Sequence, residues 1–234
     1  MVNFKKFVLE GTELKPMKNI FMNFFNNKFF NRKSQAVPLT KNRIHQILFY
    51  QEVINKVKHL DGCVVECGVG WGRSALMIGE IMHLHNKKKN FYLFDTFKGF
   101  PKLSNKDKEI TFVHEGYYNA PKKYVIKFFE NSLVSQDINF IFKEGDIKNT
   151  LVDFNEKISL LHLDLDIHSS YDFALEKLKN KVEIGGAIII DEYNSKRFSN
   201  IKKLIDDHLD DFSYEKFNSN YKYFNRTYFI KKNN

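Results

Sequence analysis

Four acidic side chains stand directly after two apolar segments of the sequence, and their types and spacing predict a site for a divalent cation. Asp164 and Asp166 follow one predicted strand, and Asp191 and Glu192 follow another. Neighbouring strands lie about 5 Å apart, so we expect the four carboxylates to converge at one edge of a sheet. Crowded carboxylates repel one another unless a cation holds them. Oxygen ligands with no nearby cysteine favour Mg²⁺ or Mn²⁺.

A glycine-rich turn between a strand and a helix predicts a ligand site. The run 63–65 is apolar and β-prone, Gly68, Gly70 and Gly72 follow it, and Ser74 begins a helix-forming pattern. Glycine accepts positive φ, and its missing Cβ lets a ligand lie on the backbone. The first N–H groups of the helix would point at that ligand. The alternative is a close-packed turn that binds nothing.

Asp95 makes a nucleoside the favoured ligand of this turn. It ends the apolar run 91–94, and an acid about twenty residues beyond such a turn accepts hydrogen bonds from ribose hydroxyls. The glycines follow G-x-G-x-G with Glu66 two residues ahead, whereas dinucleotide sites use G-x-G-x-x-G. The spacing therefore favours S-adenosylmethionine over NAD. Next to a methyl donor, a cation that chelates two hydroxyls would orient one oxygen and lower its pKa.

Four motifs together resemble the macrocin and mycinamicin sugar O-methyltransferase family. The motifs span 66–74, 95–101, 164–166 and 185–193, and the resemblance covers about Thr40 to the C-terminus. The first motif, E-x-G-x-x-x-G-x-S, is also shared with catechol O-methyltransferases. Membership would imply a class I methyltransferase that uses S-adenosylmethionine and Mg²⁺, with a hydroxyl of a sugar or sugar-bearing metabolite as the acceptor.

The resemblance also implies site residues. Asp164, Asp191 and Glu192 match the metal-ligand positions. Where this chain has Asp191-Glu192, the family more often has two aspartates. Asp164 and His114 match catalytic positions, with the histidine as the base. The implied cofactor-binding residues are Glu66, Gly68, Gly70, Gly72, Arg73, Ser74, Asp95, Asp146 and Asp164.

Several of these residues have a simpler interpretation. Asp146 stands where class I methyltransferases bind the adenine amino group, but it could equally cap the helix predicted for 148–154. His114 could be a surface loop residue. His168, close to the acids, is a second candidate base, and His162 inside a strand is interpreted as a satisfied core residue.

Strand and helix patterns alternate along the chain and predict an α/β Rossmann-like fold. We expect a mostly parallel, seven-stranded sheet of the class I methyltransferase type with a C-terminal antiparallel hairpin. The predicted strands are 63–65, 91–94, 138–143, 158–163, 187–190, 212–217 and 226–231, and the glycine pair 185–186 is expected to turn into the fifth of them. The first predicted helix is capped by Thr40 and ends near Asp61-Gly62, and the others are 72–85, 122–132, 148–154, 170–181 and 200–209.

The 234 residues suggest a methyltransferase domain over 61–234 preceded by a basic, aromatic helical segment over 1–60. The net charge is +9, and residues 1–60 hold eleven Lys or Arg against three Glu, a surplus of eight. An amphipathic helix within 17–33 could be a lid, a dimer contact or a membrane-surface helix.

The two cysteines, Cys63 and Cys67, are interpreted as reduced core residues. Neither a signal pattern nor a long apolar run appears, so we expect a cytoplasmic protein and a homo-oligomer.

Other functions stay open at this point. Asp164-Leu-Asp166 matches the D-x-D motif of glycosyltransferases, which have no need for the glycine turn and Asp95. The positive charge suggests a nucleic-acid methyltransferase, but the aromatic base clamp of such enzymes is missing after the fourth strand. A different small-molecule acceptor or a non-catalytic membrane-associated protein are the remaining alternatives.

Overall fold

The computed structural model describes residues 40–109, 113–130, 137–196, 198–209, 212–219 and 226–233. The predicted amphipathic helix within 17–33 lies outside these residues. The helices are α1 (Lys41–Val57), α2 (Arg73–Leu84), α3 (Lys122–Glu130), α4 (Ile147–Thr150), α5 (His168–Leu178) and α6 (Ser199–His208). The strands are β1 (Cys63–Cys67), β2 (Lys89–Asp95), β3 (Ile138–Glu144), β4 (Ile158–Leu163), β5 (Val182–Ile190), β6 (Tyr214–Asn218) and β7 (Thr227–Lys231).

The strands form one seven-stranded sheet in the order β3-β2-β1-β4-β5-β7-β6. Strands β1 to β5 are parallel, whereas β7 runs antiparallel to both β5 and β6. The predicted fold, a mostly parallel seven-stranded sheet ending in an antiparallel hairpin, is therefore confirmed. The chain moves outward from β1 in one direction through β2 and β3, and in the other through β4 and β5. Ligands of open α/β sheets bind at such a switch point, beyond the carboxyl ends of the strands.

Apolar side chains cover both faces of the sheet, as the near-continuous apolar strands predict. Alternate residues of β1 serve the two faces: Val65 joins one buried cluster and Val64 joins the other. Helix α1 packs on the Val64 face through Phe49, Tyr50 and Val53, so this part of the predicted N-terminal segment shares the core of the sheet. Thr40 caps α1, as predicted, by accepting a hydrogen bond from the Arg43 amide at 3.2 Å.

Both cysteines are buried free thiols, which confirms their interpretation as reduced core residues. Burial raises the pKa of the Cys63 thiol to about 12, so this thiol is protonated at neutral pH. Among the helices that the structure describes, none has the length and apolar character needed to cross a membrane.

The prediction for the start of β5 is wrong. The glycine pair 185–186 was expected to turn into a strand beginning at Ala187, but β5 begins at Val182 and runs through both glycines. The pairing with β4 jumps from Val182 to Ala187 while β4 advances only from Ile158 to Leu160. Gly185 has φ +78°, so the pair forms an irregularity inside the strand, where glycine tolerates a positive φ.

Candidate active site

The carboxyl ends of the central strands are tied together by main-chain hydrogen bonds that continue past the strands. The Asp164 amide donates to the Cys67 carbonyl at 2.9 Å, and the Asp191 amide donates to the Leu163 carbonyl at 3.0 Å. The Gly68 amide donates to the Phe94 carbonyl at 2.9 Å. The glycine turn and the acidic residues therefore lie side by side at the switch point of the sheet.

A cleft of about 340 Å³ opens at this edge. The predicted residues that line it are Gly68, Gly70, Arg73, Ser74, Asp95, Asp146 and Asp164. Asp166 also lines the cleft, and its φ of +60° is a strained conformation for a non-glycine residue. Two of the predicted cofactor-binding residues, Glu66 and Gly72, do not line it.

Two glycines of the turn are needed for different reasons. A Cβ on Gly68, at φ +86°, would lie 1.7 Å from the Asp164 carbonyl oxygen, so no other residue fits between β1 and β4. Gly70, at φ +49°, would place a Cβ in open space, and because Gly70 lines the cleft this space is available to a ligand. Gly72 has a packing role, because a Cβ there would lie 2.3 Å from the ring of Phe129.

Asp95 uses both carboxylate oxygens to hold the turn. Its Oδ2 accepts hydrogen bonds from the Val69 amide at 2.8 Å and the Gly70 amide at 2.9 Å, and its Oδ1 accepts one from the Phe97 amide at 2.6 Å. Burial raises the pKa of Asp95, and these hydrogen bonds oppose the rise. The acid expected to meet a ribose therefore first shapes the surface on which the nucleoside would lie.

Asp146 caps a helix, one of the two roles that the sequence left open. Its Oδ1 accepts a hydrogen bond from the Lys148 amide at 3.0 Å and so caps α4, and the residue also lines the cleft. The helix itself is shorter than the predicted 148–154 and ends at Thr150.

Glu66 lies behind the turn, fully buried. Its Oε1 accepts a hydrogen bond from Ser74 Oγ at 2.5 Å and lies 2.9 Å from Nδ1 of His162. No hydrogen-bond partner for Oε2 of Glu66 or for Nε2 of His162 is found among the described residues. The interpretation of His162 as a satisfied core residue is therefore wrong for one of its two nitrogens.

The acidic residues form two overlapping groups whose potential ligand atoms lie within 4.8 Å of one another. One group is His162, Asp164 and Asp191, and the other is Asp164, Asp166 and Glu192. The predicted ligands Asp164, Asp191 and Glu192 are thus divided between two groups that share Asp164. Glu192 is buried, and its Oε2 accepts a hydrogen bond from the Tyr171 hydroxyl.

The electrostatics of this cluster favour a bound cation. Burial and then the charges of Asp191, Asp166 and Glu66 raise the pKa of Asp164 well above its ordinary value. Burial, and then the charges of Asp164, Asp191 and Asp166, also raise the pKa of Glu192 well above its ordinary value. Acids that resist ionisation in this way are stabilised as carboxylates when a cation binds beside them. The crowded carboxylates, and the His162 nitrogen that lacks a partner among the described residues, together fit a divalent ion.

Arg226 is a site residue that the sequence analysis missed. Its Nη1 lies 2.7 Å from Oδ2 of Asp191. Burial disfavours the charge of Arg226, but Asp191, Asp164 and Glu192 outweigh that effect and raise its pKa. The pairing of β5 with β7 sets Ile190 beside Thr227, which brings the preceding Arg226 close to Asp191.

The two candidate bases, His114 and His168, lie in different parts of the structure. His114 is exposed on the loop after β2, with its Nδ1 3.3 Å from the Glu115 carbonyl oxygen and its ring 4.7 Å from that of Tyr117. His168 is buried at the start of α5. Neither His114 nor His168 lines the cleft, but Tyr117 does.

Comparison with known proteins identifies the family. Residues 35–214 match the model of the family described as "Macrocin-O-methyltransferase (TylF)". The protein belongs to this macrocin O-methyltransferase family. The expected resemblance is therefore confirmed, and the glycosyltransferase and non-catalytic alternatives lose their support.

Two curated relatives of this protein come from Streptomyces. A Streptomyces olivaceus protein, "8-demethyl-8-(2,3-dimethoxy-alpha-L-rhamnosyl)-tetracenomycin-C 4'-O-methyltransferase", is 29% identical over 56% of this chain and 53% of its own length. A Streptomyces niveus protein, "Demethyldecarbamoylnovobiocin O-methyltransferase", is 24% identical over 58% of this chain and 54% of its own length. The chain spans about half the length of the curated relatives it matches.

Solved structures share the fold of this family member. The O-methyltransferase NovP has a TM-score of 0.69 at 20% identity, over 81% of each chain. The calicheamicin methyltransferase CalS11 has a TM-score of 0.69 at 16% identity, over 97% of this chain and 95% of that one. At these identities the similarity shows the fold alone.

Proposed function

We propose that this protein transfers a methyl group from S-adenosylmethionine to a hydroxyl of a sugar or sugar-bearing small molecule, with the help of a divalent cation. Membership of the macrocin O-methyltransferase family supports the reaction. The Streptomyces olivaceus relative, named as a methyltransferase of a rhamnosyl-tetracenomycin, supports a glycosylated acceptor, and the demethyldecarbamoylnovobiocin O-methyltransferase supports a small-molecule acceptor.

The observation that carries the proposal is the position of Asp164. It lines the cleft beside the glycine turn, its carbonyl oxygen packs against Gly68, and its side chain belongs to both groups of potential metal ligands. One residue thus joins the proposed methyl-donor pocket to the proposed cation site. Methyl transfer needs this adjacency, because the acceptor oxygen must be held in line with the donor methyl group.

Each part of the site has a proposed task. The backbone at Gly68 and Gly70 cradles the donor, and Asp95 keeps the turn in shape. Asp164, Asp191 and Glu192 are the proposed acidic ligands of Mg²⁺ or Mn²⁺. When bound, S-adenosylmethionine supplies the reactive methyl group, and the cation lowers the pKa of an acceptor hydroxyl.

Aromatic side chains at the mouth of the cleft are suited to hold the acceptor. The rings of Tyr117 and Tyr118 stack with centroids 4.3 Å apart, and Phe100 meets Tyr118 edge-on at 5.4 Å. All three line the cleft together with Trp71, which is half exposed. Flat apolar surfaces of this kind pack against the C–H faces of sugar rings or against an aglycone.

We propose His114 as the general base. Its support is the match to the family's catalytic position and the contact between its ring and Tyr117. Proton removal from the acceptor requires a base within hydrogen-bonding reach once the substrate is bound, and such contacts often tighten only in the complex.

Calorimetry with S-adenosylmethionine, followed by transfer of its radiolabelled methyl group to a panel of sugars, nucleotide-sugars and glycosylated natural products, tests the proposal. We expect donor binding, and turnover that requires Mg²⁺ or Mn²⁺ and stops in EDTA. Asp164→Asn and Asp191→Asn should abolish turnover and largely retain donor affinity, whereas the exposed control Asp153→Asn should keep both. Full turnover in EDTA would reject the proposed cation requirement. Absence of S-adenosylmethionine binding would reject the proposed methyltransferase function.

A further inference from the structure

His162, in the central part of the sheet, has a ring nitrogen, Nε2, with no hydrogen-bond partner among the described residues. It lies within β4, paired with Glu66 of β1 on one side and with Ile189 of β5 on the other. The residue has no exposed surface. A buried polar atom without a partner is rare in folded proteins, and where it occurs an unplaced water or ion is a common reason.

The surroundings of the ring decide which nitrogen is available. The Glu66 carboxylate 2.9 Å away can only accept a hydrogen bond, so Nδ1 carries the proton. Ser74 Oγ donates to the same Glu66 oxygen at 2.5 Å and fixes its position. In the neutral ring Nε2 is left with a free lone pair. A carboxylate that orients a histidine in this way is the arrangement found behind many metal-binding histidines.

His162 belongs to a group of side chains that could share one ion. A ring nitrogen of His162 and carboxylate oxygens of Asp164 and Asp191 lie within 4.8 Å of one another. Metal–ligand bonds are about 2.0 to 2.3 Å long, so small side-chain movements would bring all three donors onto one cation. The Tyr50 ring of α1 lies 5.7 Å from the imidazole between centroids, at an angle of 73° to it.

Glu192, the third acidic ligand proposed above, belongs to the other group of potential ligands and is less well placed than His162 to share an ion with Asp191. The Tyr171 hydroxyl, which lies 2.9 Å from the Leu163 carbonyl oxygen, also contacts Oε2 of Glu192. The Glu192 side chain is therefore already engaged, whereas Nε2 of His162 has no competing hydrogen bond in the part of the chain that the structure describes.

We propose that His162 is a nitrogen ligand of the cation, through Nε2, together with Asp164 and Asp191. A mixed nitrogen and oxygen site favours first-row transition-metal ions over Mg²⁺, and Mn²⁺ is the one among them that is also well suited to carboxylate ligands. The inference rests on the proposed cation site and is independent of the identity of the acceptor.

Electron paramagnetic resonance on the full chain loaded with Mn²⁺ tests this assignment without measuring activity. Spin-echo modulation from a directly bound ¹⁴N should appear in the wild-type protein, and it should change to the ¹⁵N pattern when only the histidines carry ¹⁵N. This isotope exchange needs no variant and so remains informative even if a substitution at His162 disturbs folding.

Variants then identify the histidine. His162→Gln should lose the nitrogen modulation and weaken Mn²⁺ binding at least about tenfold, while the exposed control His59→Gln should keep both. Mn²⁺ bound without nitrogen modulation, modulation that survives in His162→Gln, or absence of Mn²⁺ binding would each overturn the assignment. If donor binding and methyl transfer persist when Mn²⁺ is bound only through oxygen, the ligand assignment fails and the proposed function stands.

Discussion

Arg226 and Asp191 form a direct ion pair at the edge of the carboxylate cluster. Nη1 of Arg226 lies 2.7 Å from Oδ2 of Asp191, and the same nitrogen donates a hydrogen bond to the Asp191 main-chain oxygen. Both side chains are mostly buried, with exposed fractions of 27% and 18%. Arg226 therefore supplies a positive charge of the protein's own beside acids that would otherwise repel one another.

Arg226→Gln should destabilise the metal-free protein by about 1 to 3 kcal/mol, because it leaves Asp191 without its partner among like charges. Saturating Mn²⁺ should recover part of this loss, since the cation balances the same charges. Urea unfolding with and without Mn²⁺ measures both effects. Lys177→Gln, which removes an exposed pair with Glu176, should change neither measurement appreciably. An Arg226→Gln effect that is equal with and without cation would contradict the charge-balancing role.

The glycine turn offers a matched pair of substitutions. Gly68→Ala should destabilise the fold by about 3 kcal/mol or more. The backbone at residue 68 has a positive φ, and a Cβ there would clash with the Asp164 carbonyl oxygen. Gly70→Ala should cost only about 1 kcal/mol, since its Cβ points into open space. Its donor affinity should nevertheless fall at least about tenfold, a loss of about 1.4 kcal/mol. Thermal unfolding and calorimetry with S-adenosylmethionine separate the two effects. Unchanged donor affinity in Gly70→Ala would place the donor elsewhere.

Most of the fold follows from local patterns. The apolar runs that became β1, β2, β4 and β5 are buried on both faces of the sheet, and such strands are recognisable without any tertiary information. The glycine turn could be identified because its φ angles exclude most other residues. Asp95 and Asp164 followed from one topological rule, that functional groups of a parallel sheet gather at the carboxyl ends of its strands.

The rest of the site depends on contacts between residues far apart in the chain. The pairs formed by Arg226 with Asp191 and by Tyr171 with Glu192 depend on register and on side-chain direction, which composition and spacing do not encode. The half-satisfied state of His162 could not be foreseen for the same reason, because it depends on a carboxylate in another strand. The short α4 reflects weak helix formers, Asn149 and Thr150, at its end.

Asp107 ties the loop after β2 to the start of α5 and should make that connection sensitive to acid. Its Oδ2 accepts hydrogen bonds from the Ser104 amide at 2.8 Å and from Ser169 Oγ at 2.7 Å, and its Oδ1 accepts one from the Ser169 amide at 3.0 Å. Burial alone would raise the pKa of Asp107, but these hydrogen bonds outweigh it and hold the pKa below the ordinary 3.8.

The unfolded chain therefore binds the proton more tightly than the native protein. The stabilisation by Asp107 is present above about pH 4 and is lost as the pH falls through the native pKa. Asp107→Asn should remove about 1 to 3 kcal/mol at neutral pH and flatten the acid limb of a stability-against-pH curve from urea unfolding. The exposed Asp153→Asn should leave the curve unchanged. An unaltered acid limb in Asp107→Asn would show that other carboxylates control it.

Tyr118→Ala should weaken binding of the acceptor. The Tyr118 ring would offer the acceptor an aromatic contact of about 0.5 to 1.5 kcal/mol, so its removal should raise the KM for the acceptor about 2- to 12-fold. Initial-rate kinetics and calorimetry with S-adenosylmethionine measure the two substrates separately. Tyr124→Ala, which alters an exposed tyrosine that does not line the cleft, is the control. A loss of donor affinity at constant acceptor KM would assign the stacked rings to the donor.

His114→Ala tests the proposed base against its neighbours. A general base that removes the acceptor proton contributes about 100-fold or more to the rate, so kcat should fall by that factor while donor affinity stays constant. His168→Asn changes the second candidate, which is buried at the start of α5, and the exposed His59→Ala controls for loss of a surface histidine. Single-turnover rates with the best acceptor from the panel provide the measurement. If His114→Ala keeps full kcat and His168→Asn loses it, the base lies on α5. If both keep it, the carboxylate cluster alone must activate the acceptor hydroxyl.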